Sequence, residues 1–129
     1  MIFKKIKIFP QTYKMKTNFF STINHLSRDS WIIQITDIDN FIGYGEASPL
    51  ATFNNETFEM AGYALEGFKL AISGLEDDFE IEELMFLINA HTQNIPSACF
   101  AVQTAIYDIL SQKKQLSLRN YLNPNASSI

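Results

Sequence analysis

Apolar positions along the chain follow two rhythms, and the change between them divides the sequence. In the first third the period is two. Ile6 and Ile8 alternate with Lys5 and Lys7, as in a strand with one wet face. Trp31, Ile33 and Ile35 alternate with Ile32, Gln34 and Thr36 in a second strand. Asp39-Asn40 supplies a turn, and Phe41 to Ala47 forms a third strand, close enough to the second to make an antiparallel hairpin. Between the first two strands lies a longer polar segment, Thr17 to Asp29, too long for a tight turn and so a candidate functional loop.

From Phe58 onward the rhythm is helical. Phe58, Ala61, Leu65, Phe68, Ile72 and Leu75 recur at +3/+4, with Asn54 as the expected N-cap and Glu56 and Glu59 in the first turn opposing the dipole. Phe53 and Phe58 occupy the two positions of a hydrophobic staple, and Gly74-Leu75 reads as a Schellman-type stop. Gly62 and Gly67 lie inside this helix at a cost of about 1 kcal/mol each relative to Ala, which close helix packing would explain. A short helix follows near Glu80 to Asn89, with Leu84, Leu87 and Ile88 inward. A third begins after Pro96-Ser97 with Ser97 as its cap, and Ala98, Ala101, Val102, Ala105 and Ile109 as its buried face. Lys113 and Lys114 suit its C-terminal end, and a last turn, Ser117 to Leu122, stops before Asn123-Pro124. Strands first and helices after give an α+β class by segregation: a three-stranded antiparallel meander, then a three- to four-helix bundle.

Composition narrows the function. The chain has 129 residues, enough for one domain, and its 47% hydrophobic and 19% charged residues exclude a disordered or collagen-like chain. A net charge of -4 argues against nucleic-acid binding, which needs a basic face. That charge comes from one stretch, Glu76 to Glu83, read as a solvated acidic helix start; outside it basic residues outnumber acidic ones. The single cysteine, Cys99, allows no internal disulfide and no thiolate metal site, and cytosol is the natural compartment. Neither a signal-peptide core nor a membrane-spanning apolar run is present.

Residue chemistry taken alone yields no active site. His25 and His91 lack ligand-spaced partners. Asp37-x-Asp39-Asn40 begins like a calcium loop but lacks its glycine and final glutamate, and reads as a hairpin turn. Gly43-Tyr44-Gly45 lacks the third glycine and following helix of a dinucleotide site.

Two stretches carry a resemblance. They are Gly43-Tyr44-Gly45-Glu46-Ala47-Ser48-Pro49-Leu50, followed by Phe53-Asn54-Asn55-Glu56-Thr57, and the run Pro96-Ser97-Ala98-Cys99-Phe100-Ala101 continuing to Leu110. Together they resemble the N-terminal capping domain of the enolase superfamily, muconate-lactonizing branch, most like that of o-succinylbenzoate synthase, the dehydratase of menaquinone biosynthesis. The departures are Cys99 where an arginine is common, and Gln115 and Ser117 where a Gly and a Pro often stand.

The resemblance implies that residues 1–124 form a cap and that 125–129 begin a linker to a (β/α)8-type barrel lying outside this chain. It places the chemistry in that barrel, where carboxylates hold Mg²⁺ and lysines move the proton alpha to a carboxylate. Residues 1–129 by themselves are then expected to be non-catalytic and to bind no metal. The Lys14-Met15-Lys16 pair imitates the spacing of those lysines but sits at the end of the first strand. The implied job of the cap is to exclude water and shape a pocket for a small carboxylate substrate, through the segments Thr17 to Asp29 and Leu50 to Asn55. Arg28, Thr52 and Phe53 are the candidate substrate-binding residues. Arg28 offers a cation to a substrate carboxylate, or else a salt bridge to Asp29; Phe53 lines the pocket, or else serves the staple. Glu46 could pass for a metal ligand or acid, but a buried hydrogen-bonding role at the strand end is expected of it. The implied partners are the barrel and the carboxylate substrate, with neither nucleic acid nor membrane, and with self-association through the barrel-facing surface. A dipeptide epimerase or muconate cycloisomerase cap, or a free-standing α+β binding module, are the alternative readings.

Overall fold

Three strands form one antiparallel meander: β1 (Phe3–Lys14), β2 (Ser27–Asp37) and β3 (Ile42–Ala47), in the order β1-β2-β3. The structure, a computed structural model, describes residues 1–15, 27–51 and 55–127. Four described helices follow: α1 (Phe58–Ile72), α2 (Ile81–Thr92), α3 (Pro96–Lys113) and α4 (Leu118–Leu122). This is the α+β order read from the two rhythms.

Register settles which face each side chain takes. Ile6 and Ile8 lie opposite Ile35 and Ile33, which in turn face Gly43 and Gly45, so these residues share the helix-facing side. Lys5, Lys7, Gln34 and Tyr44 share the other side. The core gathers Ile33, Ile35 and Ala47 with Ala61, Leu65, Phe68 and Ile72 of α1, Leu84 and Ile88 of α2, and the Ala98-Ala101-Val102-Ala105-Ile109 face of α3. The last group is the face read from the sequence.

β3 presses directly on α3 because both contribute small residues. A Cβ on Gly45 would sit 1.8 Å from the Ala101 carbonyl oxygen, and one on Gly43 would sit 2.0 Å from that of Ala105. The glycines of Gly43-Tyr44-Gly45 therefore serve backbone-to-backbone packing of a strand on a helix.

The hairpin turn is built on Asp37, which is fully buried. Its Oδ1 accepts the backbone N–H groups of Asp39 and Phe41 at 3.0 and 2.9 Å, and Asn40 takes the left-handed conformation with φ 67°. The helix stop at Gly74 also agrees with the sequence, since Gly74 has φ 83° and Leu75 N–H donates to Ile72 O.

Several local expectations shift. The N-cap of α1 is Thr57, whose side chain accepts from Met60 N–H; Asn54 lies outside the described residues. Glu56 therefore precedes the helix and does not oppose its dipole. Its buried carboxylate reaches α3 instead, where Oε1 accepts both the N–H and the hydroxyl of Ser97 at 2.9 Å. Ser97 is thus a donor to a distant cap and not itself the cap, and Ile95 holds the N-cap position. With the cap at Thr57, a staple would pair Glu56 with Ala61, so Phe58 is free to stack on Trp31 at 4.4 Å and 12°. The second helix runs three residues beyond Asn89, to Thr92, and starts with a Glu80–Glu83 capping box that uses part of the acidic run. Leu87 in it is only half-buried.

Gly62 answers to close packing, though against a strand residue: its Cβ would lie 2.8 Å from the Trp31 ring. Gly67 does not, because the nearest atom to a Cβ there is His91 Nδ1 at 3.8 Å. Nothing in the structure explains Gly67.

Candidate functional site

β1 ends and β2 begins at one end of the sheet, and β3 returns to that same end, where Trp31 pairs with Ala47. The segment between Lys14 and Ser27 and the segment after Ala47 therefore leave the sheet together. These are the two segments that the sequence singled out. Most of the first, residues 16–26, and Thr52 and Phe53 in the second lie outside the described residues, as does His25.

Arg28 does not lie in a loop. It belongs to β2, because the strand starts at Ser27, and it faces Tyr13 across the β1–β2 pair. Its Nη2 donates to the Ser48 carbonyl oxygen at 2.7 Å, which ties the root of the first segment to the root of the second. Asp29 takes no part in holding it, since Asp29 Oδ1 accepts from Thr12 Oγ1 at 2.7 Å. Glu46 accepts from Ser48 Oγ at 3.0 Å at the strand end, a hydrogen bond of the kind expected, though the side chain is half-buried and not buried.

Two polar atoms at this end have no hydrogen-bond partner among the described residues: Arg28 Nε and Ser30 Oγ, both buried. Ser30 passed unremarked in the sequence because it alternates with Trp31 on what reads as the wet face. Ser48 passed because its contribution is a backbone carbonyl, which no side-chain pattern reports.

Among the described residues, no three His, Cys, Asp or Glu side chains converge as metal ligands. The described residues therefore gather no carboxylate set of the kind that would hold Mg²⁺. Lys14 lies on exposed β1, far along the sequence from any carboxylate cluster, and Lys16 is outside the described residues. Cys99 is half-buried on α3, with its Sγ 3.8 Å from Asn89 Oδ1. No described helix is long and apolar enough to cross a membrane.

The architecture just described, a three-stranded antiparallel sheet followed by four helices, is that of the N-terminal capping domain of enolase-superfamily enzymes. No family model matches the chain. Individual proteins do. Over 123 residues, 95% of the chain, it is 31% identical to a hydrophobic dipeptide epimerase of Enterococcus faecalis, of which it spans 34%. A crystal structure of the dipeptide epimerase of E. faecalis V583, complexed with Mg and the dipeptide L-Leu-L-Tyr, superposes with a TM-score of 0.83 at 31% identity, covering 95% of this chain and 34% of that one. A mandelate racemase/muconate lactonizing enzyme from Roseiflexus sp. matches in fold over 99% of this chain and 34% of its own, with a TM-score of 0.76 and 24% identity. The chain thus spans about a third of the length of the relatives it matches. The match falls on dipeptide epimerases, one of the alternatives weighed from the sequence, and lends no support to o-succinylbenzoate synthase specificity in particular.

Proposed function

We propose that residues 1–124 act as the capping domain of a Mg²⁺-dependent dipeptide epimerase, and that residues 125–129 lead toward its (β/α)8-type barrel. The observation that carries this reading is the similarity to a hydrophobic dipeptide epimerase along 95% of the chain. The convergence of both loop roots at one end of the sheet supports it, because a lid needs its substrate-facing segments on one side. In this reading the cap excludes water and shapes the side-chain pocket, while the metal and the proton-transfer groups belong to the barrel. Arg28, Thr52 and Phe53 remain the proposed substrate-binding residues of the cap. The Arg28–Ser48 tie would give Arg28 a second task, holding the two segments in a fixed relation. The dehydratase of o-succinylbenzoate formation is the competing chemistry on the same scaffold.

The test is an assay of the chain joined to the barrel that continues its reading frame. Exchange of the alpha hydrogen of hydrophobic dipeptides with solvent deuterium, dependent on Mg²⁺, is the expected result, with none from residues 1–129 alone. Turnover of the cyclohexadiene carboxylate with no dipeptide exchange would reassign the substrate. A stop codon in place of a barrel would overturn the capping role itself.

A further inference from the structure

Capping leaves one feature of the molecule unused. Trp31, Glu59, Gly62, Tyr63 and Glu66 line a shallow cavity of about 260 Å³ beside α1. Glu59, Tyr63 and Glu66 recur at helical spacing, so the sequence places them on one stripe of α1. Gly62, between them, leaves the space in which the indole lies; a Cβ there would be 2.8 Å from Trp31 Cε2 and Cζ2. The indole N–H is already spent on Phe58 O at 2.8 Å, and the Phe58 ring stacks on the indole. One face of Trp31 is covered by Phe58, and the indole lines the cavity with no hydrogen-bond donor to spare.

The electrostatics are one-sided. Among the described residues, no Lys, Arg or His lines the cavity. The nearest pairing is that of Lys69 with Glu66 at 3.9 Å, the outer limit of an ion pair. The place of Glu59 in the first turn of α1 suits the helix dipole, but that accounts for neither Glu66, two turns on, nor a Tyr63 that is 79% exposed. A strongly hydrated divalent ion keeps its waters and gains little from two aromatic ring faces. A weakly hydrated organic cation is attracted both by the ring faces and by flanking carboxylates.

We propose that this cavity binds an organic cation of side-chain size, a guanidinium or an alkylated ammonium, laid against Trp31 and Tyr63 and countered by Glu59 and Glu66. The site is independent of the epimerase reading, and its test uses the chain by itself.

Trp31 is the one tryptophan of the protein and lines this cavity, so its fluorescence is a probe of occupancy there. Methylguanidinium chloride and tetramethylammonium chloride are titrated into the chain, with sodium chloride at equal ionic strength as the control. The expected result is a saturable emission change with the organic cations and not with sodium, at a midpoint on the order of 1–10 mM, the scale of a weak single-group contact. The Glu59→Gln/Glu66→Gln double variant should raise that midpoint about fivefold or more, as should Tyr63→Ala, an exposed change that leaves the fold intact by circular dichroism. A response matched by sodium chloride, or unaltered by the double variant, overturns the proposal. Dilution identifies the source of the cation. Emission that changes with protein concentration and is competed by methylguanidinium supports an arginine of a second copy; concentration-independent emission with the saturable response supports a free small molecule.

Discussion

The ammonium of Lys113, at the end of α3, lies 2.6 Å from Oδ2 of Asp37, at the end of β2. The carboxylate is fully buried, while Lys113 keeps 29% of its side chain in water and also reaches Asp39 at 2.9 Å. Since Oδ1 of Asp37 holds the hairpin turn, one aspartate couples the turn to the helix that covers the sheet.

Removing the cation by Lys113→Met strands a buried carboxylate. The cost should fall near the low end of the roughly 3–5 kcal/mol typical of breaking a buried pair, because Lys113 is partly solvated. Asp39→Asn, at an exposed partner, should cost no more than about 1 kcal/mol. Urea unfolding at neutral pH measures both.

The same pair sets an alkaline limit. Hydrogen bonds to Asp37, and then to Asp39, raise the Lys113 pKa above its ordinary 10.5. A raised pKa means that this contribution is complete below 10.5, the unfolded value, and is lost as pH climbs from there through the higher folded value. Stability measured from pH 9 upward should therefore fall more steeply in the wild type than in Lys113→Met. Lys113→Arg, which keeps its charge throughout, should flatten that limb.

Two glycine-to-alanine changes should have opposite signs. Gly45→Ala drives a Cβ into the Ala101 carbonyl, backbone against backbone, and should cost more than about 3 kcal/mol. Gly67→Ala meets only ordinary contact in mid-helix and should stabilise by about 0.5–1 kcal/mol. Thermal unfolding distinguishes them; a destabilised Gly67→Ala would reveal a constraint that the packing does not contain.

Glu56→Gln weakens a charged cap on the first turn of α3. An expected loss of about 1.5–3 kcal/mol follows from two charge-assisted hydrogen bonds at a helix N-terminus. Hydrogen exchange at the start of α3 should rise before exchange at its centre.

Ser30→Ala removes a buried hydroxyl that lacks a partner among the described residues. It should be neutral, or stabilising by up to about 1–2 kcal/mol, in the isolated chain. A clear loss of stability would mean that the hydroxyl is satisfied after all.

The sequence by itself determined the order of elements and the faces they bury. Alternation placed Ile33 and Ile35 inward, and the +3/+4 rhythm placed Ala61, Leu65, Phe68 and Ile72 inward, because burial of apolar area acts at the spacing that local geometry imposes. It also fixed the stop at Gly74 and the turn at Asp37 to Asn40, where backbone conformation is a local matter. The tertiary structure alone decided what joins residues far apart. Glu56 looked like a first-turn acid and proved to cap α3 across 41 residues. Arg28 looked like a loop cation and proved to grip the Ser48 carbonyl from within a strand. The paired glycines of β3 owe their presence to a helix more than fifty residues away. Such hydrogen bonds and steric contacts depend on which surfaces meet, and periodicity shows only which surface is apolar.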